Sequence, residues 1–243
     1  AKGLFQTEEA AFGIGDFAWA ESLFAEVARG KAESPYRGRA LVELGWSLSR
    51  QKKFEAAAAA FGEFTKSFPK DPLFAEAQVM QATALTDAVM LAEALPLFDA
   101  AWASQGTSDH AYVAGLQRAR LRKRLMKMEE ADAAYRELTE RFPTHPEADQ
   151  ILDEWATANY DTERFVQADE VFSLLVQRFP KSPLADNAQL ILAESLLVSG
   201  KPKDAAPRFE ALVKAETSDE VVKQRALFQL SRIAASGKDW AGL

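Results

Sequence analysis

The chain has 243 residues, of which 48% are hydrophobic and 27% charged; it has no cysteine and carries a formal net charge of −7. Such a composition is ordinary for a soluble globular protein and leaves ample apolar material for a core. The missing cysteines exclude disulfides, thiol catalysis and zinc–thiolate sites. The acidity argues against a nucleic-acid-tracking surface, and no apolar run is long enough to cross a bilayer.

Laid on itself, the chain repeats every 37 residues without insertion, in units that begin at 1, 38, 75, 112, 149, 186 and 223. Each unit reads as two helices. In the first, Phe5 and Phe12 fall on the first helix, and Glu8 stands where later units carry a small residue. "GIGDF" at 13–17 marks a turn, and Ala20, Phe24 and Val27 carry the stripe of the second helix. In the second unit Leu41, Leu44, Gly45 and Leu48 form one helical stripe, "SRQKKF" interrupts it, and Phe54, Ala57, Phe61, Phe64 and Phe68 form another. "PKDP" closes the unit, because the residue before a proline is pushed out of the α region.

The third unit repeats the pattern with Ala82, then Ala94, Phe98 and Ala101, and has Gly106 in place of the closing proline. The fourth has Ala119, Ala131, Tyr135 and Leu138; Gly115 replaces a large apolar residue and predicts looser packing there. The fifth has Ala156, Ala168, Phe172 and Leu175; the sixth has Ala193, the turn "SGKPKD" at 199–204, Ala205, Phe209 and Leu212. Pro96 and Pro207 share one register early in second helices, where a proline is tolerable near the first turn and kinks the helix further in. The seventh unit has Leu230 at the small-residue position and stops at Leu243 partway through, so the array is expected to be a piece of a longer one.

Small residues at fixed points let paired helices approach closely while the aromatics fill the space beyond. One hairpin cannot bury its stripe alone; stacked hairpins share a continuous core. Catalytic patterns are missing. His110 and His145 fall in predicted inter-unit loops without the spaced partners of a metal site, and there is no G-x-S-x-G, Walker or dinucleotide fingerprint. The expectation is a non-enzyme with no metal and no cofactor.

A small residue, an alanine twelve positions later, an aromatic four after that and a closing proline resemble the tetratricopeptide repeat (TPR), best matched by Leu41, Leu44, Gly45, Leu48, Ala57, Phe61 and Pro69. The usual TPR period is 34. The longer unit here, with loops such as "RFPTHP" and "RFPKSP", is similar to the bacterial cell-envelope subclass of BamD and YbgF, although the lipidated N-terminal cysteine of such lipoproteins is absent. The resemblance implies an all-α, right-handed superhelical TPR solenoid over 1–243, in a periplasmic or envelope-associated protein, with a cytoplasmic one as the alternative.

The family register also implies a groove lined by first helices. It assigns Phe5, Phe12, Val42 and Trp46 to one end, Glu76, Thr83, Leu116, Arg120, Lys123, Asp153 and Tyr160 to the middle, and Leu190, Glu194, Leu197 and Leu227 to the other end. Within "RARLRKRLMK" at 118–127, Arg120, Lys123, Arg124 and Lys127 are expected on one helix face. They read as a site for an acidic segment or carboxylate, as charges neutralised by Asp87, Asp153, Glu154 and Asp161, or as a nucleic-acid contact. Trp46 reads either as a binding hot spot or as packing between first helices. The function these features imply is a protein–protein scaffold or adaptor that binds proteins or peptides and no nucleic acid. The alternatives are the non-catalytic TPR region of a longer enzyme or transport-system accessory, and self-association through the solenoid ends.

Overall fold

The computed structural model describes residues 15–30, 34–104, 106–215 and 219–236. Among them the chain is all-α, with twelve helices: α1 (Phe17–Ala28), α2 (Arg37–Arg50), α3 (Phe54–Ser67), α4 (Phe74–Asp87), α5 (Leu91–Ser104), α6 (Asp109–Arg124), α7 (Met128–Arg141), α8 (Ala148–Asp161), α9 (Phe165–Arg178), α10 (Ala185–Val198), α11 (Pro202–Lys214) and α12 (Glu220–Ser236). Second helices begin at residues 17, 54, 91, 128, 165 and 202, each one 37-residue period after the last. The helices pack as sequential hairpins, and the residues fall into two compact units, Ala1–Ala134 and Tyr135–Leu243.

The turn inside each hairpin is the same device repeated. Gly15, Lys52, Val89, Met126, Glu163 and Gly200 stand one period apart, all with φ between 58° and 82°. From Lys52 onward this left-handed residue follows the end of the first helix of its hairpin, and Gly15 precedes α1. At the second turn the Lys53 N–H bonds the Leu48 carbonyl and the Lys52 N–H bonds the Ser49 carbonyl, both at 2.9 Å. The same two bonds recur at 89–90, 126–127, 163–164 and 200–201. They form the Schellman arrangement that satisfies carbonyls at a helix end. Glycine suits the position, yet only two of the six turns use it.

The loops between hairpins repeat too. At Ser34, Asp71, His145, Ser182 and Asp219, each again in one register, the side chain accepts the N–H two residues on. In the same register Ser108 accepts the Ala111 N–H at 3.2 Å and caps α6. That cap starts α6 at Asp109, so His110 lies in the first helical turn and not in a loop as its sequence position suggested. His145 does lie in its loop, where Nδ1 accepts the Glu147 N–H at 3.3 Å.

The core is the repeat written in three dimensions. Ala20, Ala57, Ala94, Ala131, Ala168 and Ala205 are buried, and so are Phe24, Phe61, Phe98, Tyr135, Phe172 and Phe209. Each such aromatic contributes about 1.5–3 kcal/mol of apolar burial. Where the aromatic is tyrosine, its hydroxyl donates to Glu154 at 2.8 Å, and its ring stacks 6.1 Å from that of Trp155. The loosening expected at Gly115 does not show in burial: Gly115 is buried, with Tyr112, Leu116 and Leu121 around it on α6. Pro96 and Pro207 sit inside α5 and α11 on exposed faces, so the carbonyls their missing N–H groups leave unbonded, on exposed Ala92 and Lys203, can meet water.

Candidate partner-binding cleft

Within the first compact unit, α2 and α4 lie side by side and leave an open cleft of about 570 Å³ lined by Arg39, Val42, Glu43, Trp46, Arg50, Leu73 and Glu76. Val42, Trp46 and Glu76 were all expected to face a groove, and the fold brings them together. Trp46 serves two surfaces. One edge of its indole packs at 88° on Phe61, centroids 6.0 Å apart, and the ring also lines the cleft. Val42 is almost buried and forms the floor. The rim is charged with both signs, Arg39 lying 3.6 Å from Glu43. An apolar floor with an aromatic wall and a mixed rim suits a polypeptide side chain better than a small polar metabolite.

The other groove positions divide. Phe5 and Phe12 lie outside the described residues. Thr83 spends its hydroxyl on the Val79 carbonyl of its own helix, at 2.9 Å. Leu116 is nearly buried, and Leu190 is fully buried in a cluster with Val222 and Ala226 of α12, so neither presents a surface as expected. The shared reason is geometric. Val42, Val79, Leu116 and Leu190 occupy one register of the period, and all four are buried. Leu197 packs partly against the same cluster as Leu190, Leu227 is half exposed, and Glu194 holds Arg225 at 2.8 Å and Gln229 at 2.9 Å. Tyr160 is 44% exposed and leans on Phe165, centroids 5.4 Å apart.

The basic stretch is partly neutralised, and two of the carboxylates that do so, Asp99 and Glu130, are ones that the sequence did not single out. Asp99 of α5 accepts Arg118 Nε at 3.0 Å and Arg122 at 2.9 and 3.0 Å, while Glu130 of α7 takes Arg122 at 3.5 Å and Lys127 at 3.3 Å. Arg118 also lies 5.2 Å over the Trp102 ring. Lys127 does not share the face of Arg120, Lys123 and Arg124, because α6 ends at Arg124 and the left-handed turn at Met126 redirects the chain. Arg120 and Lys123 are half-buried, and Arg124 is exposed.

Two carboxyls are shifted. Burial and, secondarily, the charge of Asp149 raise the pKa of half-buried Asp153 on α8. The hydrogen bond from Lys53 holds Glu21 of α1 below the usual range, with Gln51 adding a second donor. Among the described residues no group of three His, Asp or Glu could hold a metal ion. No helix there is long and apolar enough to cross a membrane.

Comparison with known proteins gives a consistent answer. Two family models, both described as tetratricopeptide repeat, match residues 42–108 and 190–242 and residues 113–145, together more than half of the chain. Among solved structures, a tetratricopeptide repeat protein from Parabacteroides merdae superposes with a TM-score of 0.60 at 16% identity, over 98% of this chain and 87% of that one. BtubC from P. vanneervenii superposes with a TM-score of 0.56 at 14% identity, over 92% of this chain and 91% of that one. The Naa15/Naa10 structure bound to HypK-THB gives 0.57 at 18% identity, over 84% of this chain and 29% of that one. No curated protein sequence matches the chain. Likenesses at these identities speak for the fold alone.

Proposed function

This chain is a tetratricopeptide repeat protein, and from that premise we propose that it is a non-catalytic scaffold that holds a partner polypeptide in the cleft between α2 and α4. The observation that carries the reading is the convergence of Val42, Trp46, Leu73 and Glu76 on one open cleft. The floor is preformed by the core, so a partner side chain entering beside Trp46 finds an aromatic surface held by Phe61. The envelope of a bacterium is the proposed setting. What supports it is the 37-residue unit with its "RFP" closing loops, which resembles the envelope subclass.

A photo-crosslinking residue placed at Arg50, on the cleft rim, tests the reading in cells. The expected result is discrete protein adducts that Trp46→Ala weakens at least about tenfold, as removal of an aromatic hot spot does, and that fractionate with the envelope. Trp46→Phe, which keeps the edge contact with Phe61, separates lost binding from lost packing. No protein adduct from Arg50 would sink the scaffold reading at this cleft.

A further inference from the structure

Two hairpin turns of the first compact unit hold apolar side chains where the backbone favours none. Val89 and Met126 both occupy the left-handed position that glycine takes at residues 15 and 200. They are 71% and 72% exposed, so their side chains gain neither burial nor a conformational preference. Leu125, beside Met126, is 36% exposed. The two turns stand on one edge, because α4 and α6, which they close, pack on each other and end at the same register.

The charges around this edge are uneven. Asp99 and Glu130 occupy Arg118, Arg122 and Lys127. Lys123 and Arg124, immediately before Leu125, make no ion pair among the described residues. In a chain of net charge −7, this corner is an uncompensated basic spot with apolar side chains next to it. Asp87 precedes Val89 on the neighbouring turn and confines the basic character to the 123–124 side.

We propose that the edge formed by Lys123, Arg124, Leu125, Met126 and Val89 is a second docking surface, for a protein segment that carries acidic side chains next to bulky apolar ones. The acidic part lies over Lys123 and Arg124, and the apolar part crosses Met126 toward Val89. The surface shares no residue with the Trp46 cleft. A short segment fits better than an anionic bilayer, which would meet the negative charge of the whole chain.

Selection from a random-peptide display library against the whole chain tests the proposal, followed by affinity measurements on three variants. Val89→Gly/Met126→Gly removes both side chains at positions where glycine suits the backbone, so its melting temperature stays at or above that of the parent. Lys123→Glu/Arg124→Glu reverses the charge, and Trp46→Ala disables the cleft. The expected peptides carry Asp or Glu next to Leu, Ile or Phe, bind at least tenfold more weakly to each edge variant, and bind Trp46→Ala as well as the parent. Peptides without that pattern, peptides indifferent to the edge variants, or no recovered peptide would overturn the proposal. So would phosphatidylglycerol vesicles that bind through the edge while no peptide does. Peptides lost only in Trp46→Ala overturn the edge and leave the cleft standing.

Discussion

At Gly45 a single methyl group decides whether α2 and α3 can meet. A Cβ there would come within 2.6–2.8 Å of three atoms of the Phe61 ring, which also meets the Trp46 ring edge-on. A methyl group there would force the fully buried Phe61 ring to shift, and this unit has glycine where Ala82, Ala119, Ala156 and Ala193 stand elsewhere. Asp153 is a different kind of residue, one that its surroundings penalise. Its pKa is raised by burial, then by Asp149, which itself accepts the Ser182 hydroxyl at 2.6 Å. The folded state therefore holds the Asp153 proton more tightly than the unfolded chain, whose carboxyl titrates near about 3.9. From that pH up to the raised folded value the folded state binds more protons, so this residue's contribution to stability falls as pH rises and stays low above it. Asp153→Asn is expected to raise stability at pH 7 and to change it little at pH 4. Urea melts at the two pH values check this; equal gains at both would show that burial of the charge is not the cause. Glu21 has the opposite sign. Its bond with Lys53 stabilises the fold above the unfolded carboxyl pKa, and that contribution is lost as pH falls through the lowered folded value.

The helical elements are bounded by two recurring devices that differ in how far the sequence reveals them. Closing prolines and the turn glycines at 15 and 200 mark boundaries openly. Lys52, Val89, Met126 and Glu163 hide the same left-handed turn, because no propensity places them there. The geometry comes from the two helices that each turn must join. A β-branched residue pays most for it, so Val89→Gly is expected to stabilise the protein by about 1 kcal/mol, the left-handed penalty for an L-residue less the entropy cost of glycine. Chemical denaturation checks this, and a loss of stability would mean that Val89 makes a contact that outweighs the strain. The loop register of Ser34, Asp71, Ser108, His145, Ser182 and Asp219 was equally open to reading, since nearly all are turn-capping types. His145 is the exception, because imidazole seldom caps a turn.

Across the whole molecule the 37-residue period places nearly every buried residue, and it does so in both compact units. Repeat arrays draw stability from each hairpin and its neighbours, so protection from hydrogen exchange follows local packing. The helix α12 buries only Val222 and Ala226 and leaves Val221, Leu227 and Phe228 at least half exposed. It is expected to exchange its amides faster than α3 or α9, a difference hydrogen-exchange mass spectrometry resolves; equal protection would mean that something covers its outer face.

The sequence by itself determined the helices, their pairing and the core, because one period repeated six times overrides local ambiguity. The family register assigns Val42 and Trp46 to one end of a groove and Glu76 to its middle, and all three line one cleft. Only the tertiary structure decided which groove positions keep a surface. Leu190 and Trp46 belong to the same predicted face, yet one is sealed beneath α12 and the other lines an open cleft. A helical period gives a residue's direction but not what the next helix brings against it. The basic stretch makes the same point. Its charges are adjacent in sequence, and Asp99 and Glu130 reach some of them and not Lys123 or Arg124 because those carboxylates stand on the flanking helices α5 and α7.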